Sequence, residues 1–391
     1  VVVSLKFLHI ADLHIGRYLK DVSLLEDQET ALNELVSIIM EEDPQVLIVA
    51  GDVYDRSVPR EEAVRLYNSF LTRLAALPVK TLLITGNHDS SERVQVLNSL
   101  LEDHGLHIEG YPKNPLRKFT ESDAHGPVEF YFLPYKDAFS LKATYGLEHM
   151  KDDSEVYRTI IRETLGEGNT NRKVMIYHGF VTPGSKEDMV QSDSERLLSV
   201  GGTDFIRADV FDDFHYVALG HLHKPQWVTK GRIRYSGSLM KYSFSEENHM
   251  KSVSVLDMDA EGKVTLKERF LTQERDVVTL KGEFSTLLLD PTEDHRDDYV
   301  RIILTNEEEV TDPVERLRTR YTNLIELVRE KDMKAMEQDN VDFSIIQTKD
   351  ISKLFREFYA MKNSDMEPDE AMVEIIQSVV RELGEENHET N

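Results

Sequence analysis

Gln45-Val-Leu-Ile-Val-Ala-Gly51-Asp52 is an unbroken apolar run that stops at a glycine and a carboxylate. A run of this length and branching reads as a strand buried on both faces, the kind found inside parallel sheets. The same grammar recurs outward in both directions. Lys6–Ile10 leads to Asp12-Leu-His14, and Thr81–Ile84 leads to Gly86-Asn87-His88-Asp89. Lys173–Tyr177 leads to His178, and Tyr216–Leu219 leads to Gly220-His221-Leu222-His223. Five strand ends thus each deliver polar residues, and helical spacing fills the gaps at Leu25–Met40, Glu61–Leu77 and Ser90–Asp103. The alternation predicts a layered α/β domain, in which ligands sit beyond the carboxyl ends of the strands.

Beyond Gln226 the pattern turns to β, with strands expected at Ile233–Tyr235, Ser252–Asp257 and Val264–Phe270 that complete a second sheet. Near Gln273–Asp276 the character changes. Val277–Lys281, Tyr299–Leu304, Pro313–Tyr321 and Asn323–Val328 read as a small strand, strand, helix, strand unit. The expected domains are 1–272, a main domain; 273–330, a small α+β domain; 331–349, a polar linker; and 350–385, a helical tail with apolar positions such as Leu354, Phe358 and Ile375. A chain of 391 residues is long enough for such a division.

Composition excludes several classes of function. No stretch approaches the roughly 20 apolar residues of a membrane span, and the N-terminal apolar run is too short for a signal peptide, so a cytoplasmic location is expected. The absence of cysteine removes disulfides and thiolate zinc sites together. A net charge of −26 argues against broad wrapping of nucleic acid, unless bound cations or a basic partner reverse the local sign.

The chemistry lies in the polar strand ends. Two divalent ions held about 3.5–4 Å apart need several O and N donors, one of them able to bridge. Asp12 and His14 are two apart, as are His221 and His223, so each pair can address one site from an extended segment. Asp52, exposed at a strand end after Gly51, is placed to bridge, and Asn87 offers a neutral hard oxygen. This mixed O/N set suits Mn²⁺, Fe²⁺ or Zn²⁺ better than Ca²⁺, and Mn²⁺ is the expected metal. Taken singly, a His-x-His is more often surface or core filling than a ligand. Five ordered blocks, each at a strand end, are what separate the metal reading from that bland one. His9, alternating with a buried strand, reads as packing or support for the site. Trp227 opens a β run and reads as packing rather than a base-stacking platform.

Asp12-Leu-His14, Gly51-Asp52, Gly86-Asn87-His88-Asp89, His178 and Gly220-His221-Leu222-His223 together resemble the calcineurin-like metallophosphoesterases. The fuller stretches His9–Arg17, Gly220–Gln226 and Tyr235-Ser-Gly237-Ser238 look like the SbcD branch, bacterial DNA repair nucleases. The resemblance implies a four-layer α/β β-sandwich flanked by helices, with 273–330 as a DNA-facing capping domain. It implies that Asp12, His14 and His223 hold one metal, that Asn87, His178 and His221 hold the other, and that Asp52 bridges them. His88 is then the catalytic histidine, with Asp89 a candidate to orient it. Implied too are exonuclease and endonuclease action on DNA ends and hairpins in repair and recombination, and a homodimer through helices 61–77 and 90–103. The tail 350–385 is expected to dock on SbcC, an ABC-type ATPase, and the enzyme to work at the nucleoid. Asp55 departs from the pattern, standing where some relatives have a DNA-positioning His; Arg17 and Lys224 are candidate phosphate contacts. The alternatives are a metallophosphoesterase of small-molecule or protein substrates, and a scaffold that has lost catalysis.

Overall fold

The computed structural model describes residues 4–184, 188–195, 205–289 and 295–332, together with Arg356, Tyr359, Pro368, Asp369 and Met372. Apart from these, the linker expected at 331–349 and the tail expected at 350–385 lie outside the described residues. By compactness the chain divides into Val1–Ile303 with Val310–Leu327, and Leu304–Glu309 with Val328–Asn391. The first of these units carries the site.

Two six-stranded sheets form its centre. The first runs Val264–Phe270, Ser252–Met258, Leu5–Ile10, Val46–Ala50, Lys80–Ile84 and Leu106–Glu109. The last four are parallel, and the first two are antiparallel additions at one edge. The second runs Gln226–Thr229, Ile233–Tyr235, Tyr216–Gly220, Arg172–His178, Gly126–Leu133 and Lys118–Asp123. Strands 252–258 and 264–270 thus extend the first sheet rather than completing the second. Ser252–Met258 pairs directly with Leu5–Ile10, a long-range choice that local periodicity does not encode.

Four layers follow from where the apolar side chains go. Between the sheets lie Phe7, Ile48, Leu82, Phe130, Ile176 and Tyr216, all from strands. On the outer face of the first sheet, helix Leu25–Glu42 presents Leu32, Leu35, Val36 and Ile39, and helix Glu61–Ala75 presents Ala63, Tyr67, Phe70 and Leu74. That is one helical stripe each, buried against the sheet. The outer face of the second sheet takes Val156, Tyr157, Ile160 and Ile161 of helix Asp153–Leu165. Both sheets are therefore covered on both faces, as parallel strands require.

The expected helix over 90–103 is two short pieces, Ser91–Val94 and Asn98–Glu102. Leu97 sits between them at φ 62°, a left-handed conformation that stops the first turn from continuing. No side-chain cap hydrogen bond is made at Ser90. Strands Val277–Gly282, Tyr299–Leu304 and Asn323–Arg329 form a third, three-stranded sheet with the short helices Phe284–Leu289 and Pro313–Arg318. It is tied to the main body by Arg275 Nε, which donates to Asp27 Oδ1 at 2.9 Å, and by the Lys241–Asp276 ion pair at 2.7 Å.

Candidate metal centre

All five strands that carry the polar blocks end on one side of the sandwich. Parallel pairing in the first sheet aligns Ile10 with Val49 and Ala50 with Ile84, so the Asp12, Asp52 and Asn87 loops start level. The Asp12 N–H donates to Gly51 O and the His14 N–H to Asp52 O, both at 3.0 Å. In the second sheet Gly220 is in register with His178. The turns out of these strands are tight: Asp12, His14, Asp52 and His221 all have positive φ, at 55°, 43°, 52° and 113°. Backbone held in this region by non-glycine residues costs energy and gathers at functional sites.

Two glycines are fixed by close approach. A Cβ on Gly86 would stand 2.2 Å from Asp52 Oδ1, and one on Gly220 would stand 1.9 Å from Ala50 O. A larger residue at either position pushes these strand-end loops apart.

The side chains converge as follows. Asp12, His14 and His223 bring donor atoms within 4.8 Å of one another, and so do Asp12, Asp52 and His178. His14 Nε2 faces His223 Nε2 at 3.1 Å. Asp52 Oδ2 lies 3.7 Å from His14 Nε2 and 3.4 Å from His178 Nε2, reaching both sides. Asn87 Oδ1 is 2.9 Å from His178 Nε2. His221 packs on His178 with ring centroids 5.7 Å apart, and its N–H donates to Asp12 Oδ1 at 2.9 Å. Its ring joins neither triad of donors.

Every member of the two triads is buried. Burial pushes the Asp12 carboxyl up to about 7, with Asp52 beside it pushing the same way against the pull of His178 and His223. Burial would also raise Asp52, yet the charges of His178 and His88 hold it well below the usual carboxylate range. Burial holds His14 well below the imidazole range and brings His221 to about 3. For His178, burial works against the charged form, but Asp52 and Asp12 carry it to about 9. Two carboxylates and four imidazoles in one water-poor pocket are costly without positive charge. Asp12 Oδ2 and His14 Nδ1 are buried with no hydrogen-bond partner. Unpaired lone pairs among hard and borderline donors fit divalent cations.

His88 stands at the rim, half-buried, with its ring against His14. Its N–H donates to Asp52 Oδ1 at 2.9 Å, and its Nδ1 lies 2.7 Å from Asp55 O. The backbone of Asp55 therefore orients the ring. Asp89 instead accepts the N–H groups of Val53, Tyr54 and Gly86 at 2.9 to 3.1 Å, fastening the Asp52 loop to the Asn87 loop. Arg17 is engaged by Asp55, Nη1 to Oδ1 at 2.6 Å, while Lys224 is half-buried beside His223. His9 hydrogen-bonds Tyr216 and Leu219 O inside the sandwich, and Trp227 packs edge-on against Tyr216; both are packing residues. A group around His223, made of Ser194, Glu195, Glu246 and Lys251, has no sequence signature and emerges only in the fold.

Fold and donor set together define a calcineurin-like phosphoesterase, and the family profile of that description matches residues 5–225. A second, SbcD-type profile, described as the type 5 capsule protein repressor C-terminal domain, matches residues 273–363. The chain is 32% identical over 332 residues to the D subunit of the SbcCD nuclease of Staphylococcus epidermidis, covering 83% of this chain and 85% of that protein. With the corresponding SbcCD nuclease protein of Staphylococcus saprophyticus it shares 29% identity over 328 residues, again 83% and 85% of the two chains. This chain belongs to the SbcD nuclease family. Among solved structures, a dimetal phosphatase from Danio rerio aligns with a TM-score of 0.40 at 15% identity, over 69% of this chain and 99% of that one. A novel archaeal phosphodiesterase aligns at 0.32 with 13% identity, over 68% and 100%. No described helix is long and apolar enough to cross a membrane.

Proposed function

We propose that this chain is the nuclease component of an SbcCD-type complex and hydrolyses DNA phosphodiesters with two divalent ions, Mn²⁺ foremost. Asp12, His14 and His223 would hold one ion, Asn87, His178 and His221 the other, with Asp52 shared between them. The observation that carries this reading is that the two triads share buried Asp12, whose Oδ2 has no hydrogen-bond partner, while Asp52 Oδ2 reaches both His14 and His178. When bound, such a pair supplies charge to the phosphoryl oxygens and a nucleophile drawn from water.

The chain's own residues do the rest. His88 has its Nδ1 held by Asp55 O, which leaves its other ring nitrogen to hydrogen-bond the scissile phosphate or give a proton to the leaving oxygen. Buried walls around Asp12 and Asp52 keep the dielectric low, so that fixed charges act strongly on the phosphate. The substrate is double-strand ends for exonucleolytic cleavage and hairpins or single strands for endonucleolytic cleavage, in repair and recombination at the nucleoid. Residues 1–272 are the nuclease domain, 273–330 cap it toward DNA, 331–349 link, and 350–385 dock on the SbcC ATPase.

The dimer contact lies at the groove between helix Glu61–Ala75 and the two short helices after Ser90. It holds about 540 Å³ and is lined by Val64, Leu71, Val94, Val96, Leu97 and Leu100. Val96, Leu97 and Leu100 are more than half exposed, at 58, 65 and 62%. Apolar faces of this kind mark partner surfaces, and a second copy is the occupant that the family resemblance implies.

The test is Mn²⁺-dependent nucleotide release from end-labelled duplex, with bis-p-nitrophenyl phosphate in parallel and His88→Ser as control. Degradation lost in the variant with metal content unchanged supports the nuclease reading and the role of His88. Cleavage of the small diester alone, with DNA intact even beside the ATPase and ATP, would move the substrate to small molecules.

A further inference from the structure

His223 is gripped from three directions. Its N–H donates to Glu195 Oε1 at 2.7 Å. Its carbonyl accepts from Lys251 Nζ at 2.9 Å. Its Nδ1, on the ring edge away from His14, lies 2.8 Å from Ser194 Oγ and 3.3 Å from Glu246 Oε1. Glu246 and Lys251 are buried and paired, Oε2 to Nζ at 2.6 Å, and Lys251 also donates to Ser238 Oγ at 2.8 Å. Packing alone does not explain an ion pair so deep, because apolar residues of the same size are as stable or more so in such places.

Donor and acceptor counts fix the direction of this chain of bonds. Beside Lys251 the Glu246 carboxylate is ionised and can only accept. Ser194, 2.5 Å from Glu246 Oε1, therefore gives its hydroxyl hydrogen to Glu246. Its oxygen is then free only to accept, so the hydrogen between Ser194 and His223 belongs to Nδ1. In the neutral ring that leaves the Nε2 lone pair on the side of His14 and Asp12. The other histidines are held differently: His178 Nδ1 meets the carbonyl of Ala50 at 2.8 Å, and His14 Nδ1 has no hydrogen-bond partner.

We propose that Glu246, anchored by Lys251 and acting through Ser194, is a positioning residue that sets the tautomer and ring plane of His223 as a metal ligand. The proposal rests on the reading of His223 as a ligand. It adds a carboxylate-to-histidine relay behind one of the two ions, of the type that tunes ligand basicity. The relay is assembled from three distant stretches, at Ser192–Glu195, His223 and Glu246–Lys251.

Mn²⁺ titration of the full metal-free chain, read by calorimetry and by the resonance of free Mn²⁺, tests the relay beside ¹⁵N spectra of its histidine rings. The variants are Ser194→Ala, Ser194→Thr and the double change Glu246→Leu with Lys251→Met, which removes both buried charges together. The native chain is expected to bind two ions. Ser194→Ala and the double variant are expected to keep one site unchanged and weaken the other by roughly 10–100-fold. In the same variants His223 loses its Nδ1–H signature in the metal-free state, and Ser194→Thr restores both readouts. Two ions bound as tightly in the variants, with the Nδ1–H signature intact, overturn the relay and leave the metal centre standing. No ion bound by the native chain overturns the metal reading instead, while the ring spectra still decide the hydrogen position. If the double variant does not fold, Ser194→Ala and Ser194→Thr decide the matter.

Discussion

The ligand pocket and the groove beside helix Glu61–Ala75 break the ordinary rule of burial in opposite senses. In the pocket, carboxylates and imidazoles are buried, one carboxylate oxygen has no partner, and four residues are held at left-handed φ. In the groove, Val96, Leu97 and Leu100 stand in solvent with no polar reason to be there. The proposed function gives each an occupant: positive charge in the first case, apolar surface in the second. The difference also says which region tolerates change. Pocket geometry is over-determined by backbone and hydrogen bonds, whereas the groove asks only for apolar area.

The largest effect is expected at Asp52, the proposed bridge. Asp52→Ala should lower Mn²⁺-dependent phosphodiester hydrolysis by about 10³-fold, several kcal/mol at ~1.4 kcal/mol per factor of ten, in initial-rate assays. Gly220→Ala probes the over-determined backbone, since the new Cβ meets Ala50 O at 1.9 Å and His178 Nδ1 at 2.8 Å. A loss of about 3 kcal/mol in urea unfolding is expected, and a loss below ~0.5 kcal/mol would show the loops to be more pliant than their contacts imply.

Glu129 sharpens the comparison because it is a buried carboxylate whose partners are all in the chain. Burial alone would raise its carboxyl, but hydrogen bonds from Lys118, Tyr131, Asn169 and Asn171 bring it down to about 2. A depressed value stabilises the fold above the unfolded value of 4.5, and the contribution fades as pH falls from there through about 2. Glu129→Gln should therefore cost about 2 kcal/mol at pH 7, with the gap to the native chain closing in acid, as unfolding at stepped pH would reveal. The smallest effect is in the groove. Leu97→Glu with Leu100→Glu should raise the dimer dissociation constant at least about tenfold in sedimentation while leaving protomer stability within ~0.5 kcal/mol. An unchanged oligomeric state would remove the second copy as occupant.

How much of this is legible in sequence depends on how local the signal is. The strands that end at Asp12, Asp52, Asn87, His178 and His221 announce themselves, because an apolar run stopped by polar residues, often through a glycine, is a local pattern. The hairpin of Lys118–Asp123 and Gly126–Leu133 and the short strand Leu106–Glu109 escape a sequence reading, since the outer strand is polar and the short one gives little periodicity. Strand Ser252–Met258 joins the first sheet against expectation because its choice of Leu5–Ile10 as neighbour is made across the whole chain. Leu97 breaks an expected helix through a backbone angle to which a leucine gives no clue. Ser194, Glu246 and Lys251 are invisible for the same reason as the strand order: they meet only after folding.

The central claim is that Asp12, Asp52 and the histidines around them form a two-ion site. Counting Mn²⁺ bound to the metal-free chain by native mass spectrometry, beside Asp52→Ala, tests it most directly. Two ions per chain, with binding of both impaired in the variant, is the expected result. A chain that binds no Mn²⁺, or binds it equally well without Asp52, would contradict it.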